Sequence, residues 1–290
     1  MLRANGVDFE ESSRFEETRH RLYTALATVA AQNKLENIYD VILVDEAQDY
    51  SADEITLIKR FGERLFAVGD NNQQISDQKG ALAQLEALGV KKTTLTSHYR
   101  NGLKICRVAD GIKNLIDHPD GLEATSNYDE AKFPSTVEVF GDLSLEEQVT
   151  TAVPRIQTQL LAYPGEMIGL FCARVKDLDV VQEELAASAL SEEIHVQRAG
   201  AYSSFSPDRQ VVLSTIMGAK GLEFRAVHIL AADALKRFQT QRNLTYTAVT
   251  RTKTSLSVYH RENLAGYFEK GLRACEPVKP AEPTLDELFL

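Results

Sequence analysis

The amino-acid sequence predicts an α/β fold built on parallel sheets, and three observations favour this class. Short runs of branched apolar residues alternate along the chain with segments of helical periodicity. Several of these runs end in a polar or glycine-containing turn, as after Val44 and Val68. The four apolar residues at 41–44 suit a strand covered on both faces, which is the usual state of a parallel strand.

Residues 1–89 are expected to form a first, partial lobe in which helices and strands alternate. The first predicted helix spans residues 13–32, because Leu22, Leu26 and Val29 fall on one apolar stripe at helical spacing. The other elements predicted for this lobe are a strand at 41–44, a helix at 53–61, a strand at 65–68 and a helix at 81–88.

Residues 90–275 are expected to form a second, complete lobe. Its predicted elements are a helix at 103–116, a polar loop at 117–134, a strand at 136–140, a helix at 145–161, a strand at 167–171, a helix at 177–187, strands at 211–215 and 226–230, a helix around 244–251 and a strand at 255–259. Pro154 predicts a bend or an interruption in its helix. The spacing between Arg100 and Thr215 leaves room for this lobe and for no large inserted domain.

Residues 276–290 are expected to be a flexible tail, since the segment contains three prolines at a chain terminus. Its last seven residues, Thr-Leu-Asp-Glu-Leu-Phe-Leu, also suit a short acidic and apolar docking peptide for a partner. The sequence leaves both interpretations open.

Composition limits the classes of partner. The formal net charge of −10 argues against a broadly basic surface for nucleic acid, although a cleft in an acidic protein can be locally positive. The three cysteines are far apart and predict neither a disulfide framework nor a zinc site, which fits a reducing cytoplasm. No apolar run approaches the length of a membrane-spanning helix, so no membrane association is expected.

The most informative segment is residues 39–49, Tyr-Asp-Val-Ile-Leu-Val-Asp-Glu-Ala-Gln-Asp. It places Asp45 and Glu46 at the carboxyl end of a strand, where open α/β sheets bind ligands. In nucleotide hydrolases, one such carboxylate holds Mg²⁺ and the next orients water against the γ-phosphate. An acidic turn after a strand would explain this segment equally well if it stood alone.

Four further segments follow it in order. They are 65–74, which ends in Gly-Asp-Asn-Asn-Gln-Gln; 94–101, with Tyr99 beside Arg100; 212–224, which ends in Gly-Ala-Lys-Gly-Leu-Glu-Phe; and 243–253, which carries Arg251. Each has a purely structural explanation, such as a surface ion pair for an arginine or a core position for the tyrosine. Taken together, in this order and at this spacing, the set resembles the superfamily-one DNA helicases of the UvrD/Rep/PcrA type over roughly residues 38–260.

The resemblance implies RecA-like parallel sheets, a partial first RecA-like lobe and a complete second one. It also implies ATP and Mg²⁺ as cofactors and single-stranded or partly duplex DNA as a partner. The roles implied are Mg²⁺ coordination for Asp45, catalytic base for Glu46, γ-phosphate sensing for Gln73, stacking on adenine for Tyr99, arginine fingers for Arg100 and Arg251, nucleotide binding for Gly221 and Glu223, and DNA contact for Thr215. These residue types suit phosphoryl transfer, which needs positioned metal, positioned water and permanent positive charge.

One expected part of such an enzyme is missing. A P-loop has the pattern Gly-x-x-x-x-Gly-Lys-Ser/Thr, and no glycine of this sequence is followed directly by lysine. Without the strand that leads into this loop, the first lobe should expose a strand edge and apolar surface. The phosphate cradle is therefore expected from a missing N-terminal segment or from a partner protein. A third alternative is a degenerate relative that is kept as a binding module.

Two departures from the family pattern concern DNA. Residues 75–79 contain no aromatic side chain for stacking on bases, and Met217-Gly218 replaces the usual His-Ser. They predict weak or partner-assisted DNA handling. The leading hypothesis is the C-terminal part of an ATP-dependent DNA helicase or translocase, and the rival is a non-catalytic, helicase-like subunit that docks a partner. Translocation polarity and the choice between DNA and RNA are not predicted.

Overall fold

The computed structural model describes residues 2–9, 15–74, 80–198 and 209–275. The chain divides into two compact units, Met1–Thr94 and Leu95–Leu290, and each is described by itself. No helix within the described ranges is long and apolar enough to cross a membrane. The three cysteines are all described, and all three are free.

The described residues of the first unit form three α-helices and a two-stranded parallel sheet. The elements are α1 (Phe15–Gln32), β1 (Tyr39–Val44), α2 (Ala52–Phe61), β2 (Gly62–Ala67) and α3 (Ala81–Ala87). β1 and β2 run parallel, with Leu43 opposite Phe66. The small core on one face of the sheet includes Val44, Ile55 and Leu85.

A capping box begins α2. The Ser51 Oγ accepts a hydrogen bond from the Glu54 amide at 3.2 Å, and the Glu54 carboxylate accepts one from the Ser51 amide at 2.7 Å. Arg19 of α1 donates from Nε to Glu54 Oε1 at 2.6 Å. Burial alone would raise the pKa of Glu54, but the hydrogen bonds from Arg19 and Ser51 outweigh it and lower the pKa. One carboxylate thus caps α2 and holds α1 against it.

The opposite face of this sheet is open. Leu43 is 74% exposed and Phe66 is 61% exposed, and Tyr39, Val41 and Val68 are also exposed. The prediction that the strand at 41–44 is covered on both faces is therefore wrong for this structure, because the described helices cover only one side. Parallel sheets are normally buried on both faces, so the exposed apolar surface is what an incomplete lobe should show.

The second unit has a six-stranded sheet in which all strands are parallel, in the order β3-β8-β7-β4-β6-β5. Its elements are α4 (Leu103–Lys113), β3 (Thr136–Phe140), α5 (Leu145–Ala162), β4 (Ile168–Cys172), α6 (Val175–Ala186), β5 (Ile194–Gln197), β6 (Val211–Thr215), β7 (Phe224–Leu230), α7 (Gln239–Thr250), β8 (Thr252–Tyr259) and α8 (Gly266–Arg273). α5 and α6 pack against β4, β6 and β7, whereas α4 and α7 pack against β8.

The fold class predicted from the sequence is confirmed, with two parallel sheets in one α/β chain. The patterning did not predict β5 or α8, which are the shortest strand and a helix of eight residues. An interruption of α5 at Pro154 is not seen, since the helix continues through that residue to Ala162. The described residues between Arg100 and Thr215 form elements of the second unit.

Two glycines allow α8 to pack closely on α4. A Cβ added to Gly111 would lie 2.4 Å from Gly271 Cα, and one added to Gly271 would lie 2.6 Å from the Val108 carbonyl oxygen. Both distances are far below van der Waals contact, so the two backbones can approach this closely only while both residues lack a side chain. A pair of glycines 160 positions apart is not a pattern that local sequence reasoning can recognise.

A buried polar network lies on the six-stranded sheet of the second unit. His228 of β7 is fully buried, with Nδ1 2.9 Å from the Tyr259 hydroxyl and Nε2 2.8 Å from Gln159 Oε1. An amide oxygen can only accept, so Nε2 carries the proton and Nδ1 accepts from the tyrosine. Burial, with a smaller contribution from the charge of Arg155, lowers the pKa of His228 to about 3.

Replacing Gly111 with alanine should destabilise the second unit by about 1–3 kcal/mol, because the added methyl group overlaps the Gly271 backbone. The measurement is urea unfolding followed by circular dichroism. Gly266→Ala is the matched control, since a Cβ on that glycine of α8 meets nothing within 4 Å. Equal stability of the two variants would contradict the close helix crossing.

Acidification should destabilise the second unit through His228. Its pKa in the folded state is about 3, below the ordinary value of about 6.5, so protons bind preferentially to the unfolded chain. The stabilisation is complete above pH 6.5 and is lost as the pH falls towards 3, by about 2 kcal/mol at pH 5. Urea unfolding at pH 7 and pH 5 measures it. In His228→Phe the free energy of unfolding should fall between pH 7 and pH 5 by about 2 kcal/mol less than in the wild type. An equal fall in both proteins would refute the lowered pKa of His228.

Candidate nucleotide site

In the first unit, the two predicted carboxylates lie directly after β1. Glu46 has a φ of +51°, a left-handed conformation that is uncommon for a residue with a side chain. Its amide donates to Asp45 Oδ1 at 2.8 Å. Strained residues of this kind concentrate at functional sites, where the surrounding structure holds them in place. The turn thus holds the two acids at the carboxyl end of the sheet.

Gln48 connects these acids to the loop after β2. Its Nε2 donates to Glu46 Oε2 at 2.6 Å, and its Oε1 accepts from the Asp70 amide at 2.9 Å. Gln48 is 2% exposed, so both hydrogen bonds start from a buried residue. Gly69 leaves room for it, because a Cβ there would lie 2.9 Å from Gln48 Oε1. Sequence analysis did not identify Gln48, and only the bridge between the two loops shows its role.

Asp70 in turn holds the predicted γ-phosphate sensor. Gln73 Nε2 donates to Asp70 Oδ2 at 3.1 Å, and the Asn72 amide donates to Asp70 Oδ1 at 2.8 Å. The ends of β1 and β2 are further joined by the Val68 amide, which donates to the Val44 carbonyl oxygen at 2.9 Å. Asp45, Glu46 and Gln73 therefore follow two parallel strands that end on the same side of one sheet.

The donor set of this edge is compatible with Mg²⁺. Among the described residues, no group of three or more histidine, cysteine, aspartate or glutamate side chains is close enough to hold a metal ion. Mg²⁺ is commonly held by one or two carboxylates and completes its octahedron with water and substrate phosphates. Asp45 is the carboxylate that could supply such a ligand.

In the second unit, the predicted nucleotide residues meet at the amino ends of β7 and β8. Arg100 forms an ion pair with Glu223, the residue before β7, and the Lys253 Nζ lies 3.4 Å from the other oxygen of the same carboxylate. Tyr99 is 71% exposed, so its ring is available for stacking. No role was expected for Lys253, and the structure adds it to this cluster.

Arg251 belongs to the same edge. It follows α7 directly and is 5% exposed, and its carbonyl oxygen accepts from the Phe224 amide at 2.9 Å. Asn101, the residue after Arg100, donates from Nδ2 to the carbonyl oxygens of Thr250 and Thr252 at 2.9 and 2.6 Å. The segments that carry the two predicted arginine fingers are thus hydrogen-bonded to each other.

The predicted DNA contact lies at the carboxyl ends of the strands of this sheet, opposite the amino ends that carry Arg100 and Glu223. Thr215 ends β6 level with Leu230, the last residue of β7, because both are register partners of Cys172. Its Oγ1 accepts from the Gly218 amide at 3.1 Å. Glu223 immediately precedes β7, so the length of that strand, about 20 Å, separates it from the level of Thr215.

Gly221 lies in the connection from β6 to β7 with a φ of +83°. This left-handed backbone explains the glycine. Residues 75–79, which lack the aromatic side chains of the family, lie outside the described residues, as does the predicted tail 276–290.

The bridge at Gln48 can be tested by amide hydrogen exchange. Gln48→Leu removes the acceptor of the Asp70 amide, so exchange at Asp70 should become roughly tenfold faster. Gln48→Glu is the matched control, because its carboxylate still accepts from Asp70 but cannot donate to Glu46. Nuclear magnetic resonance of ¹⁵N-labelled protein gives both rates. An unchanged rate at Asp70 in Gln48→Leu would contradict the bridge.

Comparisons with known protein families match two parts of the chain. Residues 4–87 match the UvrD/REP helicase N-terminal domain, and residues 210–259 match the UvrD-like helicase C-terminal domain. None of the curated proteins matches the chain.

Two solved structures are similar to the chain at low TM-scores, which carry no further conclusion. The C-terminal domain of a possible DNA helicase from Lactobacillus plantarum WCFS1 has 18% identity and a TM-score of 0.45, with 62% of this chain and 97% of that chain covered. The PRRSV helicase has 14% identity and a TM-score of 0.38, and the match covers 76% of this chain and 34% of the viral chain.

The two family matches occur in chain order, and each contains predicted site residues. Asp45, Glu46 and Gln73 lie in the first match, and Thr215 and Arg251 lie in the second. These matches support a DNA helicase-type function. By these matches, two parts of the chain, residues 4–87 and 210–259, are similar to the two domains of UvrD-like helicases.

Proposed function

We propose that this chain is part of an ATP-dependent DNA helicase or translocase that couples ATP hydrolysis to movement on single-stranded DNA. The observation that carries the proposal is the edge of the first sheet, where Asp45, Glu46 and the loop of Gln73 are joined through Gln48. A carboxylate for Mg²⁺, a carboxylate for water and an amide for the γ-phosphate are the groups that nucleotide hydrolysis requires there.

In this proposal the residues of the first unit act on water and metal. Bound Mg²⁺ would neutralise charge on the phosphates and would be held by Asp45. Glu46 accepts the proton of the attacking water, and its left-handed backbone together with the Gln48 amide orients the carboxylate. Gln73 detects the γ-phosphate and is restrained by Asp70.

The residues of the second unit act on the nucleotide. Tyr99 stacks on the base, Glu223 and Gly221 bind the nucleotide, and Arg100 and Arg251 neutralise the charge that develops on the transferred phosphoryl group. Arginine suits this role because its guanidinium keeps its charge at any physiological pH. Thr215, at the far edge of the sheet, contacts single-stranded DNA.

The proposal also concerns domain organisation. Residues 1–89 act as a partial RecA-like lobe, residues 90–275 as the complete second lobe, and residues 276–290 as a flexible tail. Since the sequence contains no P-loop pattern, a segment or a partner protein outside this sequence supplies the phosphate cradle. A cytoplasmic location fits three free cysteines.

The test is DNA-stimulated ATP hydrolysis by the protein purified from its natural host together with bound partners. Glu46→Gln should reduce turnover by at least about a hundredfold, because the general base is lost. Glu63→Gln, which changes an exposed glutamate of β2, is the matched control and should leave turnover unchanged. ATP hydrolysis that is indifferent to Glu46→Gln would refute the proposed mechanism.

A non-catalytic, helicase-like binding subunit is the second candidate, and the open apolar face of the first sheet favours it. Leu43 and Phe66 are the most exposed apolar side chains of that face. If docking is the only function, Glu46→Gln will retain the biological activity of the gene, whereas Leu43→Ser with Phe66→Ser will abolish it. If the chain is a motor, Glu46→Gln alone will abolish that activity.

A further inference from the structure

Asn101 joins the segments of two predicted arginine fingers that are 151 residues apart in the sequence. Its side chain is 5% exposed, and Nδ2 donates to the carbonyl oxygens of Thr250 at 2.9 Å and Thr252 at 2.6 Å. These two carbonyls belong to the residues on either side of Arg251. Asn101 itself follows Arg100 directly. The side-chain amide of Asn101, which is next to Arg100 in the sequence, therefore binds the backbone on both sides of Arg251.

Further hydrogen bonds fix the same segment. The Gly102 amide donates to the Lys253 carbonyl oxygen at 2.8 Å, and the Cys106 Sγ donates to the Asn101 carbonyl oxygen at 3.3 Å. A Cβ on Gly102 would lie 2.3 Å from the Ser135 Cβ, so the backbone has no room to move in that direction. Residues 101 and 102 are thus held against residues 250–253 from both sides.

The consequence is a compact group of charges at the amino end of the sheet. Arg100 and Lys253 both reach the carboxylate of Glu223, and Arg251 lies between the two carbonyls that Asn101 binds. Two cations, Arg100 and Lys253, meet one carboxylate, so this ion-pair group carries more positive than negative charge. An anion with several phosphates has the charge that complements such a group.

We infer that Asn101 is a positioning residue that holds Arg100 and Arg251 as one unit for binding the polyphosphate of a nucleotide. This inference rests on the proposed function, because that function assigns both arginines to the phosphoryl group. Asn101 acts through the backbone of its neighbours and does not touch the ligand itself. Two donors are required, and an asparagine amide supplies two from one nitrogen.

The test compares the affinity of variants for Mg·ATP and for inorganic tripolyphosphate by isothermal titration calorimetry, on protein purified together with the bound partners that supply the phosphate cradle. Arg100→Ala should weaken binding of both ligands roughly tenfold, because one charge-assisted contact is lost. Asn101→Leu removes both donors at similar size and should weaken binding by a comparable factor. In the double variant the loss should be smaller than the product of the two single losses, because both changes act on the same arginine.

A matched control separates positioning from loss of stability. Asn243 of α7 is also a buried asparagine, and its Oδ1 accepts from Lys113 and Gln239. Asn243→Leu should lower the urea midpoint as Asn101→Leu does, yet leave the affinity for tripolyphosphate at the wild-type value. If Asn101→Leu does not fold, Asn101→Ser retains one donor and should show a smaller loss of affinity than Arg100→Ala.

The outcomes distinguish the positioning role of Asn101 from the binding of nucleotide by Arg100 and Arg251. Wild-type affinity in both Asn101 variants, or losses that multiply fully in the double variant, would overturn the inference alone. If the wild-type chain binds neither ligand, or if Arg100→Ala and Arg251→Ala leave binding unchanged, the assignment of these arginines to the nucleotide fails, and the inference fails with it.

Discussion

The parallel alignment of β7 and β8 is the constraint on which the second unit depends. Because the two strands start at the same edge, the residues just before and after their first positions become neighbours, although α7 and the whole of β7 separate them in sequence. Glu223 meets Lys253 there, and the Phe224 amide binds the Arg251 carbonyl. The Asn101 amide then adds a third segment to the same edge through backbone carbonyls. Backbone geometry, more than side-chain attraction, assembles the group.

The first unit shows the same principle at the opposite end of a sheet. Parallel pairing brings the ends of β1 and β2 together, and the buried Gln48 converts this proximity into a defined arrangement of Glu46 and Asp70. The sheet of the first unit is less completely covered by helices than the sheet of the second unit. Its sheet has a packed face and an open apolar face, whereas the second sheet has helices on both sides. Exposed surface of that kind is costly for an isolated domain and useful for one that binds something else.

The helices and strands that carry a long periodic pattern were predictable, because their signal is local. α1, α2 and α4 are found within a few residues of their expected bounds, and β3 and β6 have the predicted bounds. β5 and α8 were not predicted, because two of the four residues of β5 are polar and the two glycines of α8 lower its helix propensity. α5 illustrates another limit. Pro154 removes one backbone donor, but packing of the helix against the sheet keeps it continuous.

The sequence by itself determined the parallel α/β class, the resemblance to UvrD-like helicases and the chemical types of the candidate residues, because each depends on residues close together in the chain. The tertiary structure decided which of these residues meet. It placed Glu223 with Arg100, put Thr215 at the opposite edge, and gave Gln48, Asn101 and Lys253 roles that no spacing indicates. The physical reason is that hydrogen bonds between distant segments depend on strand order and register, and neither is written in the local pattern of residues.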